Sequence, residues 1–143
     1  MQKIIDNINF QSDKVEYWAA GSSFGGTRDQ TETFIENGIW QDGWGKSGDD
    51  KNKQILSLIK KGDYLFMKSS ATHGVGHKIS FTKLKAIGEV IGKIKDNYYT
   101  FRVKWYVNNL PKNFDGIWYS NTIEPMRDDE MLKYGKSIIL TLK

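Results

Sequence analysis

The clearest pattern in the chain is an alternation of apolar and polar positions from residue 99 to residue 107. Aromatic and β-branched residues occupy every second position, and the positions between them are Thr100, Arg102, Lys104 and Tyr106. Because successive side chains of a strand point to opposite faces, this alternation predicts a strand that is half buried. Arg102 and Lys104 are expected to project together from its outer face.

Weaker strand patterns recur along the chain. β-branched and aromatic residues bounded by glycine or turn residues predict four more strands, at 16–20, 64–68, 84–91 and 137–142. Neighbouring hairpins without a repeating strand–helix–strand unit favour an α+β fold around a curved, mostly antiparallel sheet or partial barrel. The length of 143 residues suits a single domain, residues 1–143.

Two or three short helices are expected beside this sheet. Apolar residues at helical spacing predict a helix over 51–61 that ends at Gly62. Thr27 and Gln30 form a capping box for a shorter helix that stops at Gly38, and a third helix is predicted over 128–134 that ends at Gly135. The segments 39–50 and 69–78 are predicted to be loops.

Composition narrows the class of protein. Without cysteine, the chain has no disulfide framework, zinc ribbon or thiol nucleophile, and it shows no signal peptide or membrane-spanning run. A cytoplasmic protein without membrane association is therefore expected. Residues 46–104 carry thirteen Lys or Arg and five Asp or Glu, and aromatic residues reach 13% of the chain. This combination favours a nucleic-acid partner, with solvated lysines on ordinary elements as the alternative.

Motifs for catalysis and cofactors are incomplete. Gly43 to Ser47 resembles the end of a phosphate-binding loop, but Trp40 stands where its first glycine belongs. His73 and His77 are separated by Gly74-Val75-Gly76, which favours a loop over a metal site. No nucleophile–base set or marked carboxylate pair is evident. We therefore expect no enzyme activity, no metal and no cofactor.

The tryptophans divide by position. Trp105 lies on the apolar face of its strand and is expected in the core, whereas Trp18 fits the core and a binding surface equally well. Trp40 and Trp44 lie in the predicted glycine-rich loop, where a large exposed ring needs a reason other than core packing. Trp40 and Trp44 are therefore the candidate binding aromatics.

The order of these motifs resembles the YTH and EVE families, relatives of PUA domains that read modified bases. The resemblance covers about residues 15–125. It rests on five segments: Tyr17 to Ser23, Asn37 to Trp40, Lys61 to Ser69, Ala86 to Val90 and Tyr99 to Pro111. It implies a PUA-like fold and a base that is flipped into an aromatic pocket. Gly21 departs from the pattern, because YTH domains have Lys there.

The resemblance also implies roles for individual residues. Trp40 matches one wall of the aromatic cage, and Ser22 and Ser23 match the dipeptide that faces the base. The loop that holds the second cage tryptophan in YTH domains is too short here, so the second wall is expected from Trp44 or Phe24. Trp118 and Tyr119 are further alternatives for that wall, and Trp18 completes the candidate set.

N6-methyladenine in DNA is the favoured target, with 5-methylcytosine and RNA as alternatives. Lys46, Lys78, Arg102 and Lys104 are the candidate phosphate-binding residues. Related modules occur as the amino-terminal targeting domain of Mcr-type restriction systems, ahead of an AAA+ GTPase. The resemblance therefore implies an AAA+ GTPase or nuclease as a partner or fused domain. Two other classes stay open. One is a small-molecule or nucleotide hydrolase on an ASCH-like scaffold, and the other is a protein-interaction module.

Overall fold

A computed structural model describes residues 14–24, 28–45, 48–95 and 97–142, without the side chain of His77. Within these residues the chain forms nine strands and three helices. The strands are β1 (Tyr17–Gly21), β2 (Ser23–Phe24), β3 (Arg28–Asp29), β4 (Ile39–Gln41), β5 (Tyr64–His73), β6 (Ile79–Ile94), β7 (Asn97–Tyr106), β8 (Lys112–Asp115) and β9 (Ile123–Pro125). The helices are α1 (Thr31–Asn37), α2 (Asp50–Leu58) and α3 (Glu130–Thr141).

Seven of these strands form one mixed sheet in the order β4-β7-β6-β5-β1-β9, with β8 paired to the first part of β6. Only β1 and β5 run parallel among the described pairs, and the other pairs are antiparallel. β2 and β3 form a separate two-stranded ribbon. The prediction of an α+β fold with a mostly antiparallel sheet is confirmed.

The two faces of the sheet bury separate cores. Trp18 and Ala20 of β1 face one core, which α1 and α2 cover with Phe34 and Leu56. Ala19, between them in sequence, faces the other core, which α3 covers. This alternation follows from the two-residue period of a strand and makes β1 a buried central strand. The long strand β7 shows the predicted alternation over residues 101–104, with Phe101 and Val103 buried and Arg102 and Lys104 exposed, whereas Thr100 is buried.

The predicted strand at 137–142 is wrong, because residues 137–141 belong to α3 and Leu142 is its C-cap residue. Asp129 caps that helix by accepting a hydrogen bond from the backbone N–H of Leu132 at 2.9 Å. Gly135, expected to end a helix, lies inside α3, where an added Cβ would be 2.1 Å from the Phe66 ring. This glycine serves close packing of the helix on the sheet instead of helix termination.

Several predicted boundaries change. The predicted loop 69–78 largely belongs to the hairpin of β5 and β6, because β5 continues to His73 and β6 begins at Ile79. Helix α1 does end at Gly38, whose φ of 63° suits glycine. Thr27 of the predicted capping box lies outside the described residues. The prediction for Gln30 is wrong, because Gln30 is the N-cap residue of α1 and makes no side-chain capping hydrogen bond within the described residues. No helix in the described part of the chain is both long and apolar enough to cross a membrane.

Candidate functional site

A cavity of about 450 Å³ opens between the start of α2 and the segment that leads into β9. Its floor is apolar and is formed by Ile55 and Ile123, which pack in or against the first core. The remaining lining is mostly polar and comes from two chain segments far apart in sequence: Trp44, Gly48, Asp49, Lys51 and Asn52 on one side, and Ser120, Asn121 and Thr122 on the other. The cavity therefore combines an apolar part with amide, hydroxyl and charged groups.

The first wall is the turn after β4 and the first turn of α2. Asp49 caps α2 by accepting a hydrogen bond from the backbone N–H of Asn52 at 2.8 Å. Trp44 is 60% exposed, and the backbone of its neighbour Gly45 accepts a hydrogen bond from the Tyr98 hydroxyl at 3.3 Å. The wall therefore presents a large, solvent-accessible indole beside a capped helix end.

The second wall is held from behind by a buried lysine. Lys68 donates hydrogen bonds from Nζ to the carbonyls of Tyr119 at 2.6 Å and Asn121 at 2.8 Å. Burial lowers the pKa of Lys68 to about 8, against a smaller opposing effect of Glu124. The carbonyl of Thr122 accepts from the Gly21 backbone N–H at 2.7 Å. These bonds fix the segment 120–123 against the end of β1 and the middle of β5.

A buried carboxylate stands behind the first wall. Asp42 is fully buried at the end of β4, and its Oδ2 accepts a hydrogen bond from Asn52 Nδ2 at 2.5 Å. Its Oδ1 has no hydrogen-bond partner among the described residues. Desolvation raises the pKa of Asp42, and hydrogen bonds from Asn52 and from the Trp44 backbone oppose that shift.

Of the six predicted base-binding residues, the structure brings only Trp44 to the cavity. Trp40 does not lie in a loop as predicted. It belongs to β4, pairs with Phe101 of β7 and is 0% exposed. Its indole Nε1 donates to the Gly21 carbonyl at 2.7 Å. Trp40 thus supports the strand end beside the second wall and presents no face to a ligand in this conformation.

Trp18 is also a core residue, and its Nε1 donates to the buried carboxylate of Asp63 at 3.0 Å. Phe24 is half-buried and packs edge-to-face on Phe34, with ring centroids 5.8 Å apart. The Phe24 ring also lies against Gly43, where an added Cβ would be 3.0 Å from it. Both rings therefore serve packing, although Phe24 borders the turn that carries Trp44.

The two serines have different surroundings. Ser23 is exposed in β2, whereas Ser22 is buried in a polar cluster with Asp29, Thr31 and Lys85. Lys85 Nζ donates to Ser22 Oγ at 2.8 Å and to Thr31 Oγ1 at 3.2 Å. Burial lowers the pKa of Lys85, and its ion pair with Asp29 opposes that shift. The predicted serine dipeptide is therefore not part of the cavity lining.

Three of the four candidate phosphate-binding residues are described, and these three do not line the cavity. Arg102 and Lys104 are exposed on β7 as predicted, and Lys78 is exposed beside the β5–β6 turn. Lys46 lies outside the described residues. Sequence reasoning missed Lys51, which lines the cavity, and Lys53, whose Nζ lies 5.9 Å from the centroid of the Tyr98 ring.

Sequence reasoning also missed the amides of Asn52 and Asn121 as cavity residues. The spacing of Asp49 and Asn52 marks a helix start and could have placed Asn52 in the first turn of α2. No comparable signal marks Asn121. No family model matches the chain, and no curated protein matches it significantly in sequence.

Proposed function

We propose that the chain binds a nucleic acid, DNA in particular, and accepts one modified base in the cavity beside Trp44. The observation that carries the proposal is an exposed indole on the wall of a cavity that also offers amide and hydroxyl groups. An aromatic face supplies stacking for any base, and the polar groups distinguish one base edge from another. In this proposal Trp44 takes the place that the resemblance to YTH domains suggested for Trp40.

The energies are of the right order for recognition of a flipped base. Extrusion from a duplex costs a few kcal/mol, and stacking on an aromatic ring returns about 1–3 kcal/mol per base. A buried methyl group adds about 0.8 kcal/mol. Because methylation at N6 of adenine weakens its base pair and therefore lowers the cost of flipping, we favour N6-methyladenine in DNA over 5-methylcytosine.

The proposed architecture is PUA-like, and it is supported by the mixed sheet and by the order of motifs that resembles YTH and EVE domains. In those families, modules of this type direct restriction systems to modified DNA. An AAA+ GTPase or nuclease is accordingly the partner or fused domain that we propose. Arg102, Lys104 and Lys78 would contact phosphates and set the affinity without choosing the base.

The test compares two exposed tryptophans. Trp44→Ala should weaken binding to a duplex with one N6-methyladenine by about tenfold or more, because a stacking face is lost. Trp118→Ala is the matched control, since Trp118 is 42% exposed and does not line the cavity. The affinities are measured by fluorescence anisotropy at fixed salt. If the two substitutions weaken binding equally, the cavity is not the site that recognises the base.

The identity of the base requires matched duplexes with N6-methyladenine, 5-methylcytosine or no modification. We expect the highest affinity for the N6-methyladenine duplex, a lower affinity for the 5-methylcytosine duplex and the lowest affinity for the unmodified duplex. Tighter binding to the cytosine duplex would replace the proposed base, and equal binding to all three would exclude modified-base recognition.

A second candidate function is a hydrolase, and the contact of 2.8 Å between Lys85 Nζ and Ser22 Oγ favours it. Burial lowers the pKa of Lys85, which is the direction of shift that a general base requires. Against this function, Ser22 is 2% exposed, which leaves its hydroxyl little access to a substrate. Turnover of free modified nucleosides that is lost in both Ser22→Ala and Lys85→Met would support the hydrolase over the reader.

A further inference from the structure

The side chain of Asn52 is held in one orientation by its neighbours. Its Nδ2 donates to the buried Asp42 carboxylate at 2.5 Å, and its backbone N–H donates to Asp49 at 2.8 Å. On another side, an added Cβ at Gly48 would be only 2.7 Å from Nδ2, so the amide nitrogen lies close to that backbone. The orientation of this amide is therefore determined before any ligand arrives.

The chemistry of Asp42 decides which end of the amide is engaged. An ionised carboxylate has acceptors only, so it must take the NH₂ end of Asn52. The Oδ1 end, which can only accept a hydrogen bond, is then the group that remains for the cavity that Asn52 lines. Rotation of the amide by 180° would place two acceptors together, which makes the alternative orientation unfavourable.

We propose that Asn52 determines specificity by presenting an acceptor to the ligand, so that the cavity selects a heterocycle whose edge donates an N–H. The exocyclic amino groups of adenine and cytosine donate an N–H at the position where guanine and thymine carry a carbonyl oxygen, which can only accept. A monomethylated amino group retains one N–H and meets the requirement. This inference rests on the proposed function, because it names the feature of the base that the same cavity reads.

Within the described residues the hydrogen bonding of Asp42 Oδ1 is incomplete, which supports a role of Asp42 beyond stability. A buried carboxylate oxygen without a partner is costly, and native structures contain few such groups. An amide at position 42 would remove the buried charge but would no longer fix the orientation of Asn52, since it could donate as well as accept. The carboxylate is therefore the side chain that makes Asn52 an acceptor towards the cavity.

The experiment uses single-stranded oligonucleotides, so that base-pair opening does not contribute. One position carries N6-methyladenine or its isostere 6-methoxypurine, in which an oxygen replaces the N–H without a change in size. The wild-type protein should bind the N6-methyladenine strand about tenfold more tightly, because the isostere leaves a desolvated acceptor without a donor. Asp42→Asn should reduce this ratio to about twofold or less.

Asp50→Asn is the matched control, because it makes the same charge change in α2 but does not line the cavity. It should leave the tenfold ratio intact.

A wild-type ratio near one, with binding still dependent on Trp44, overturns this inference but not the proposed function. An unchanged ratio in Asp42→Asn overturns the role of Asp42. Binding that does not depend on Trp44 overturns the proposed function and this inference together. Even if the Asp42→Asn variant does not fold, the wild-type ratio still tests whether the cavity selects a base that donates an N–H.

Discussion

Asp63 and Asp42 are both fully buried carboxylates, yet their surroundings differ. Asp63 accepts four hydrogen bonds: from the Glu16 backbone, from the Trp18 indole, and from both the backbone and the ammonium of Lys60, at 2.7–3.1 Å. Asp42 accepts from one side-chain donor, Asn52, and from the Trp44 backbone, and its Oδ1 is without a partner in the described part of the chain.

The difference separates a structural group from a candidate functional one. The four donors at Asp63 join the start of β1 to the turn after α2, and they satisfy both carboxylate oxygens. A fully satisfied buried network stabilises one arrangement of the chain. The burial of Asp42, in contrast, is offset by fewer hydrogen bonds, and Asp42 contacts the cavity residue Asn52. Incomplete satisfaction therefore marks the region where a ligand is expected.

The largest expected effect is that of Asp63→Ala. The Trp18 indole and two backbone N–H groups would lose their acceptor inside the protein, so we expect the free energy of unfolding to fall by about 3–5 kcal/mol. Urea denaturation followed by tryptophan fluorescence measures this change. Asp115→Ala is the control, because its ion pair with His73 is exposed and its loss should cost under about 1 kcal/mol.

The second largest effect on the free energy of unfolding is expected for Trp40→Phe. The replacement retains a buried ring but removes the Nε1 donor, which leaves the Gly21 carbonyl without that hydrogen bond. We expect a loss of about 1–3 kcal/mol in the free energy of unfolding. The preference for a modified oligonucleotide, measured under conditions where the variant is folded, should remain. Loss of the preference in a fully folded variant would assign Trp40 to the base site after all.

Asp42→Asn should change stability much less than Asp63→Ala. It removes a buried charge that has few compensating partners, so we expect the free energy of unfolding to stay within about 1 kcal/mol of the wild type. The same urea titration provides the measurement. If Asp42→Asn costs as much as Asp63→Ala, the contrast between the two carboxylates disappears and Asp42 is a structural group.

The smallest expected effect concerns pH. Because burial raises the pKa of Asp42 above 3.8, the native state binds a proton here more readily than the unfolded state does. The contribution of this group to stability is therefore fully present below its unfolded pKa and is lost as pH rises through its native pKa. The stability of the wild type relative to Asp42→Asn should be greater near about pH 4 than near about pH 7. A difference with the opposite sign would contradict the raised pKa.

Local patterns in the sequence were sufficient for elements whose side chains repeat with a clear period. The alternation in β7 predicted its outward Arg102 and Lys104, and the glycine signal at Gly38 marked the end of α1. At 137–142 the same reasoning was wrong, because β-branched residues favour strands locally. The cap at Asp129 and the burial of Ile138 and Ile139 against the sheet make the segment helical.

The candidate site depended on tertiary structure to a greater degree. Trp40 and Trp44 are four residues apart and look alike in sequence, but pairing of β4 with β7 buries Trp40, while the next turn leaves Trp44 exposed. The cavity joins this turn and α2 to the segment 120–123, which lies far along the chain and is held in place by Lys68. Periodicity reports which face of its own element a residue occupies. Which distant segments meet, and which buried groups remain without partners, is decided only when the strands pair and the helices pack on the sheet.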